Sequence, residues 1–185
     1  MAFRGELADF ERFYERTYPG AYRTALAIVR EPGLAADVTQ DAYVKAFRER
    51  SRFRGDAPVS AWLHRIVVNE ALAGIRRRSR RPREIDMTGV WGVRDLGASG
   101  ELTRVPDRLV VLDALDVLTP KARAAIVLRY YHDHDYATIA SILGTSVGNI
   151  GVLLTRSLDR LRAELSTPTP ASSPAASAQE VRDER

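Results

Sequence analysis

The sequence contains no cysteine among its 185 residues, which excludes disulfide bonds and thiolate metal ligands. It also has no apolar run near the roughly 20 residues that a membrane-spanning helix needs. Residues 1–20 alternate charged and aromatic side chains, and no basic start leads into an apolar core, so a secretory signal is not expected. These absences predict a cytoplasmic protein with no membrane partner.

Strand-like alternation of apolar and polar residues is missing over any useful length, and apolar residues recur at helical spacing instead. We therefore expect an all-α fold of two small helical domains, at residues 1–83 and 107–166. Residues 84–106 hold four glycines and no sustained period, which predicts a flexible linker between the domains. The tail, 167–185, is rich in proline, alanine and serine and is predicted to be disordered.

Turn and cap residues predict where several helices begin and end. We expect a break at Pro19 and Gly20, because proline removes a backbone donor and glycine tolerates positive φ. Ser60 is expected to cap a helix that ends near residue 78, and Thr119 is expected to cap a helix in the second domain.

Charge is distributed unevenly along the chain. Residues 1–83 hold 17 Lys and Arg against 10 Asp and Glu, a net charge of +7, whereas residues 84–185 hold 11 against 14, a net charge of −3. A basic half with clustered arginines favours a polyanionic partner, because neutralised phosphates release counterions. A solubilising surface is the alternative interpretation.

The string His-Asp-His-Asp in the second half carries four side chains that can bind metals. Four adjacent residues cannot all point at one ion, and His64 is the one further histidine in the sequence. The structural alternative is that Asp135 caps the next helix and that Asp133 lies in the turn. We expect the structural role, with no metal, cofactor or catalytic residue. A metal hydrolase that uses His132 and His134 is the enzymatic alternative.

The segment SAWLHRIVVNEALAGIRRRSRR is predicted to form a mostly apolar helix with one polar sector. That sector holds Arg65, Asn69 and Arg76 together with Leu72, and Trp62 lies at its edge. Arginines at the C-terminal end of a helix also favour the helix dipole, so a surface helix would explain them. Asn69 points to nucleic acid instead, because asparagine lowers helix propensity while its amide can pair with a base edge.

The segment ADVTQDAYVKAFRER places Val38, Ala42 and Ala46 on one side of a predicted helix as an apolar spine. A solvated face would explain the polar residues on the opposite side. Those residues are Asp37, Gln40, Asp41 and Arg48, and Val44 lies among them.

Four segments taken in order resemble bacterial sigma factors of the extracytoplasmic-function group. They are DVTQDAYVKAF, FRGDAPVSAWLHRIVVNEAL with its arginine run, LTPKARAAIVLRYY, and a helix-turn-helix that includes GTSVGNIGVLLTRSLDRLR. The likeness runs from about residue 8 to residue 165. It implies a non-enzymatic protein that binds RNA polymerase core and promoter DNA, acts with the polymerase on the cytoplasmic nucleoid, and has an anti-sigma factor as a possible partner.

The resemblance assigns roles by position to residues of the first domain. The face of Asp37, Gln40, Asp41 and Arg48 matches the surface that binds the clamp helices of the polymerase β′ subunit, and the β subunit is a further expected contact. The loop 53–59 matches the loop that holds a base flipped out of the minus-ten promoter element, with Trp62 packed beneath it and Trp91 in the segment that threads through the polymerase. The expected minus-ten contacts are Phe53, Arg54, Gly55, Asp56, Arg65, Asn69, Arg76 and Arg77.

The last helix, by resemblance, reads the minus-thirty-five promoter element. Sigma factors of this group usually carry arginines where this sequence has Gly151 and Leu153, which leaves Arg156 as the one cation expected on the DNA-facing side. We therefore expect weak or altered recognition of this element. The expected contacts are Asn149, Val152, Thr155 and Arg156, with Gly148 and Asp159 also outward. The expected core stripe is Ile150, Leu154, Leu158, Leu161 and Leu165.

A stand-alone helix-turn-helix regulator is the main competing function. It would use the second domain in the same way, but it would not explain the segment FRGDAPVSAWLHRIVVN or the long linker.

Overall fold

The structure is a computed structural model that describes residues 7–80 and 114–166. Regular structure in these two ranges is helical, which confirms the all-α expectation. The helices are α1 Leu7–Val29, α2 Pro32–Glu49, α3 Val59–Arg80, α4 Pro120–Ile126, α5 Tyr136–Leu143 and α6 Val147–Ser166. The expected linker with Trp91 and the expected tail lie outside the described residues.

The first half of the chain is a bundle of α1, α2 and α3, in which each helix packs against the other two. The predicted spine of Val38, Ala42 and Ala46 is at most 1% exposed and lies against the other helices. At Gly74 the helices approach so closely that a Cβ atom would lie 3.1 Å from Val38 Cγ2. The absence of a side chain there lets α2 and α3 pack at short range.

The expected break at Pro19 is wrong, because α1 continues through it to Val29. Proline costs one backbone hydrogen bond in a helix interior. Buried Ala21, Ala25 and Ile28 extend the apolar face beyond the proline, so tertiary packing holds the helix together. The chain turns at Arg30 instead, whose φ of 63° is left-handed.

The expected cap at Ser60 is also wrong. Helix α3 begins one residue earlier, at Val59, and the Trp62 amide already donates to the Pro58 carbonyl. Ser60 therefore lies inside the first turn. The proline before the helix sets its start, and its fixed φ suits that position.

The second half consists of α4, α5 and α6, together with a π-helical turn, Val127–Tyr131, that extends α4. The two predicted caps are present: Thr119 Oγ1 accepts from the Ala122 amide, and Asp135 Oδ1 accepts from the Thr138 amide at 2.7 Å. Asp133 has a φ of 52°, as expected for its turn.

Helices α5 and α6 form the predicted helix-turn-helix. Gly144 ends α5 in the left-handed conformation, with φ 60° and ψ 52°, which glycine adopts without steric cost. The two helices meet at an angle of 97°. None of the described helices alone is long and apolar enough to cross a membrane, although this bent pair passes that test together by length and composition.

The two halves pack directly on each other. Helix α1 contacts α4, and α3 contacts α5. Buried apolar side chains form one cluster that runs through both halves, including Leu63 and Val67 of α3 and Leu128 and Ile139 of the second half. Each half therefore covers part of the apolar surface of the other.

Candidate polymerase and nucleic-acid interface

The outer face of α2 carries the four residues predicted to bind polymerase. Asp37, Gln40, Asp41 and Arg48 are all exposed, and Val44 among them is 43% exposed. Because the opposite face is buried in the bundle, the exposed face cannot be turned away without disrupting the core. A surface of mixed charge with an apolar centre suits a protein partner better than DNA.

Ion pairs connect this face of α2 to the arginine run of α3. Arg77 Nη2 lies 3.7 Å from Asp41 Oδ2, and Arg77 Nη1 lies 3.9 Å from Glu70 Oε2. Glu70 also accepts from Lys45 Nζ at 3.0 Å. Arg77, predicted to contact the minus-ten element, is thus placed toward α2 and not beside Arg76 in the polar sector.

The loop before α3 surrounds a cavity of about 450 Å³. The Phe53 ring packs on the Trp62 ring, with centroids 5.3 Å apart, so Trp62 supports the loop from beneath as expected. Gly55 has a φ of 80°, a conformation that side-chain-bearing residues rarely adopt. Arg54 and Asp56 beside it are exposed at the cavity mouth. The structure therefore brings Phe53, Arg54, Gly55 and Asp56 together around one opening.

The polar sector of α3 continues from this cavity along the surface. Arg65, Asn69 and Arg76 are exposed, while Leu72 in the same sector is half-buried and packs on the core. Arg65 lines the cavity and also donates from Nη2 to the Ser141 carbonyl of α5 at 3.0 Å. The sector thus offers two cations and one amide along one line.

The side of α6 that was predicted to face DNA is exposed and nearly neutral. Asn149, Val152, Thr155 and Arg156 all face solvent, and Val152 is 51% exposed. The backbone amide of Asn149 donates to Ser146 Oγ at 3.2 Å, which satisfies one free donor at the start of the helix. Gly148 and Asp159 are outward as expected, and Asp159 pairs with Arg162 at 3.0 Å.

Two expectations for α6 need correction. Leu153, which the sequence placed on the DNA-facing side, is half-buried and packs against the core. Leu165, which was expected to be buried, is 53% exposed, because the helix extends beyond the elements that cover it. Ile150 and Leu154 are buried as predicted, and Leu158 and Leu161 pack against the core.

Helix α6 has a second cation on this side, Arg160, which was not among the predicted contacts. Arg160 is exposed and lies four residues after Arg156, so the two side chains share one face of α6. The i, i+4 spacing in the sequence could have identified Arg160. Gly151 is half-buried, and a Cβ atom there would lie 3.8 Å from Tyr136 Cε2, an ordinary contact distance.

The structure also brings all three histidines together, which the sequence did not predict. His64 Nδ1 lies 2.8 Å from His134 Nε2, and the ring centroids of His64 and His132 are 3.6 Å apart. Burial, followed by the adjacent His132 and His134, lowers the pKa of His64 to about 3. Burial, followed by His134, lowers the pKa of His132 to about 4. Across residues 7–80 and 114–166, no group of three potential ligands is arranged to hold a metal ion.

Two family models match this chain. Sigma-70 region 2 matches residues 13–81, and Sigma-70, region 4 matches residues 108–161. The RNA polymerase sigma-E factor of Streptomyces avermitilis is 29% identical over 161 residues, which cover 87% of each chain. The ECF RNA polymerase sigma factor SigM of Mycobacterium tuberculosis is 33% identical over 157 residues, which cover 85% of this chain and 77% of that one.

A solved structure shares the fold. The sigma factor RpoE, in complex with the anti-sigma factor NepR from Bartonella quintana, superposes with a TM-score of 0.68 at 24% identity. The match covers 88% of this chain and 100% of that one.

Proposed function

Since this chain belongs to the extracytoplasmic-function group of the sigma-70 family and is an RNA polymerase sigma factor, we propose that its two halves divide promoter recognition unequally. The first half, residues 1–83, binds core polymerase and opens the minus-ten element. The second half, residues 107–166, docks weakly on the minus-thirty-five element. Residues 84–106 connect them, and residues 167–185 have no assigned role.

The exposed face of α2 is the proposed contact with the clamp helices of the β′ subunit. It supports this role because Asp37 and Asp41 lie on the same face as Arg48 and surround exposed Val44. An apolar centre within a ring of charges resembles the core and rim of a protein interface. The pairing of Asp41 with Arg77 joins this contact to α3, so polymerase binding and promoter contact use adjacent surfaces.

The cavity beside the loop is the proposed site for a base flipped out of the minus-ten element. Its aromatic floor and its exposed arginines suit an unstacked base with its phosphate. Flipping a base costs a few kcal/mol of unstacking, which contacts within a pocket can offset. Asn69, farther along the polar sector, supplies an amide that can read a base edge.

The neutral side of α6 is the proposed reader of the minus-thirty-five element. Arg156 and Arg160 can each meet a phosphate, and exposed Val152 can contact a thymine methyl group. Two cations neutralise few phosphates, so the electrostatic contribution of this helix to affinity is small.

The observation that carries this division is the continuous line from the loop cavity along the polar sector of α3, matched by no comparable line of charge on the described part of α6. The test is permanganate footprinting of open promoter complexes formed with core polymerase and Asn69→Ala. We expect a change in base preference at one minus-ten position. The same melted region and the same base preference as wild type would refute the pocket assignment.

A stand-alone regulator remains distinguishable by one experiment, because it would bind promoter DNA without core polymerase. We expect the full chain to co-purify with core polymerase and to need it for stable promoter binding. Promoter binding of equal strength without polymerase would favour the regulator.

A non-enzymatic role, action on the cytoplasmic nucleoid and control by an anti-sigma factor complete the proposal. They follow from what sigma factors do; RpoE of Bartonella quintana, which shares the fold, was crystallised in complex with the anti-sigma factor NepR. The anti-sigma partner is tested by purifying the tagged chain from its own cells before and after stress. A second protein that leaves after stress supports it, and a chain free of partners in both states refutes it.

A further inference from the structure

Between the described parts of the two halves, polar contacts besides those of the histidines include three hydrogen bonds from arginines. Arg30 Nε donates to Asp116 Oδ1 at 2.7 Å, Arg23 Nη1 donates to the Tyr131 hydroxyl at 3.2 Å, and Arg65 donates to the Ser141 carbonyl. Each of these contacts has one exposed side chain, Asp116, Tyr131 or Arg65, and contacts open to solvent contribute little. The histidine contacts are the more deeply buried polar part of the junction.

Two buried polar side chains of the first half lie at this junction. Thr24 is fully buried and His64 is 9% exposed. The Thr24 hydroxyl lies 2.6 Å from His132 Nε2 and also donates to the Gly20 carbonyl at 2.8 Å. With its single hydrogen used for Gly20, Thr24 accepts from His132. The histidines thus complete the hydrogen bonding of side chains that are buried where the two halves meet.

Only one hydrogen can lie between His64 Nδ1 and His134 Nε2. Their nitrogens are 2.8 Å apart, so one ring must donate and the other must accept. When both rings are protonated, every ring nitrogen carries a hydrogen and no acceptor remains. The bond between the two halves is therefore compatible with at most one charged ring in this pair.

The neighbouring pair of His64 and His132 also disfavours two charged rings, for a different reason. Its ring centroids are 3.6 Å apart, so two charged rings would repel at short range with little intervening solvent. Burial already opposes the charged form of each ring.

The charged groups around the cluster do not reverse this preference. Arg23 of α1 reaches Tyr131, Arg65 follows His64 on α3, and Arg129 of the π-helical turn donates to the His134 carbonyl at 3.1 Å. These three cations oppose protonation. Asp133 and Asp135 favour it at His134, but both are exposed to solvent, and burial still lowers the pKa of His134.

The closed junction also places α5 over the loop cavity. Ala137, Thr138 and Ser141 of α5 form one wall of the cavity, opposite Phe53 and Trp62 of the first half. The cavity is therefore shared between the two halves in the closed arrangement. Separation of the halves would remove the wall and would free Arg65 from the Ser141 carbonyl.

We propose that His64, His132 and His134 form a proton-sensitive latch that holds the second half against the first and narrows access to the loop cavity. Protonation of the cluster opens the junction and exposes the cavity. The consequence for promoter DNA rests on the proposed function, whereas opening itself does not.

The direction of the pH effect follows from the lowered pKa values. Closure is fully favoured above the ordinary histidine pKa of 6.5, and it weakens as the pH falls below 6.5 toward the values in the closed state. For one ring that regains the ordinary histidine pKa of 6.5 when the halves separate, the ratio of open to closed chains rises at most about tenfold between pH 8 and pH 5.5.

The test is a distance measurement between two spin labels in the full chain. Because the chain has no cysteine, Glu11→Cys on α1 and Glu164→Cys on α6 provide two exposed attachment sites outside the junction. Double electron-electron resonance should give one narrow distance distribution at pH 8, and a shifted, broader distribution at pH 5.5 with the helical circular dichroism retained. The same distance distribution at both pH values would overturn the proposal.

Two variants separate the latch from general acid effects. In the double variant His64→Gln with His134→Gln, each amide keeps a donor and an acceptor and does not titrate, so its distances should respond far less to acid. An unchanged acid response in this variant would overturn the proposal. His134→Lys places a permanent charge outside the first bundle and should open the junction at pH 8. Tyr130→Lys, at a 60% exposed position of the same segment, is the matched control and should stay closed.

A second readout reports on the cavity directly. The chain has two tryptophans, so Trp91→Phe leaves Trp62 as the fluorescent reporter. Acrylamide should quench Trp62 more strongly at pH 5.5 than at pH 8 in wild type, and the difference between the two pH values should be much smaller in the glutamine pair. Equal quenching in wild type would contradict opening. Because neither readout contains DNA, a failure here leaves the sigma-factor function untouched, and a failure of Asn69→Ala leaves the latch untouched.

Discussion

The α3 surface of the first half and the α6 surface of the second half, the two surfaces proposed to contact promoter DNA, differ sharply in exposed charge. Helix α3 has five exposed arginines between Arg65 and Arg80, whereas the leading side of α6 offers Asn149, Val152 and Thr155 before its first cation, Arg156. The helix-turn-helix is nevertheless well formed, because its shape depends on buried Ile150 and Leu154 and on Gly144. The buried residues fix the shape of a DNA-binding motif, and the exposed ones fix its affinity.

Reversal of charge on α2 is expected to have the largest effect. Asp41→Arg combined with Arg48→Glu should abolish binding to core polymerase, since loss of an interfacial charge pair costs roughly 2–5 kcal/mol. The fold should survive, because the contact of Asp41 with Arg77 is long and both side chains are about 60% exposed. A pull-down with core polymerase and circular dichroism measure the two results.

The matched control reverses an ion pair on α1 whose arginine is exposed and whose aspartate is half-buried, Asp9→Arg with Arg12→Glu. It changes the same number of charges on the same half and should leave polymerase binding within a few-fold of wild type. If the α2 variant retains binding, or if both variants lose it equally, the assigned face is wrong.

Substitutions along α3 should separate base reading from phosphate binding. Asn69→Ala should cost about 1–3 kcal/mol at one minus-ten position and relax the preference there. Arg76→Ala should weaken all sequences alike and lower the salt slope of binding by about 0.9 for each phosphate that the variant no longer neutralises. Binding of holoenzyme to promoter variants across a salt series measures both, and a uniform loss for Asn69→Ala would contradict base reading.

Charge added to α6 should make the DNA affinity of the second half more similar to that of the first half. Gly151→Arg should tighten binding to upstream promoter DNA and raise the salt slope by about 0.9 if one phosphate is met. The new Cβ would meet Tyr136 at an ordinary distance, and removal of an interior glycine adds up to about 1 kcal/mol of helix stability. Thermal melting must therefore accompany the DNA titration.

Removing charge from the same side of α6 is the converse experiment. Arg156→Ala should lower the remaining affinity for the minus-thirty-five element, and Arg156→Ala with Arg160→Ala should lower it further. Tight upstream binding with a steep salt dependence that neither substitution changes would mean that another side of α6 faces DNA.

The smallest expected effect concerns stability alone. Thr119→Ala removes the cap of α4, whose hydroxyl accepts from the Ala122 amide, and should cost about 1 kcal/mol of stability. Thermal unfolding should show this loss while polymerase binding at saturating concentration remains unchanged. A parallel loss of polymerase binding would show that the second half contributes more to that contact than its position suggests.

Local signals in the sequence predicted much of the fold. Thr119 and Asp135 act on amides three residues away, so their capping roles are visible in a short segment. The polar faces of α2 and α3 followed from helical spacing. The break at Pro19 was wrong because packing from three helices outweighs one missing hydrogen bond, and no short segment contains that information.

The parts of the site that depend on contacts between the two halves could not be predicted. His64 and His134 are 70 residues apart in the chain, and their bond exists only because α3 packs on α5. Leu153 was misplaced for a similar reason, since helical spacing puts it at the edge of the apolar stripe and the neighbouring elements decide which side it joins. Arg160, by contrast, could have been predicted from the same helical spacing that identified Arg156.

Transcription by holoenzyme with one promoter element replaced at a time tests the unequal division between the halves most directly. The template is a promoter selected by mapping the sites that the chain occupies after induced expression, with either the minus-ten or the minus-thirty-five element exchanged for unrelated sequence. Most of the transcript should persist when the minus-thirty-five element is replaced and should disappear when the minus-ten element is replaced. Loss of transcription on replacing the minus-thirty-five element, with the minus-ten replacement tolerated, would contradict the division.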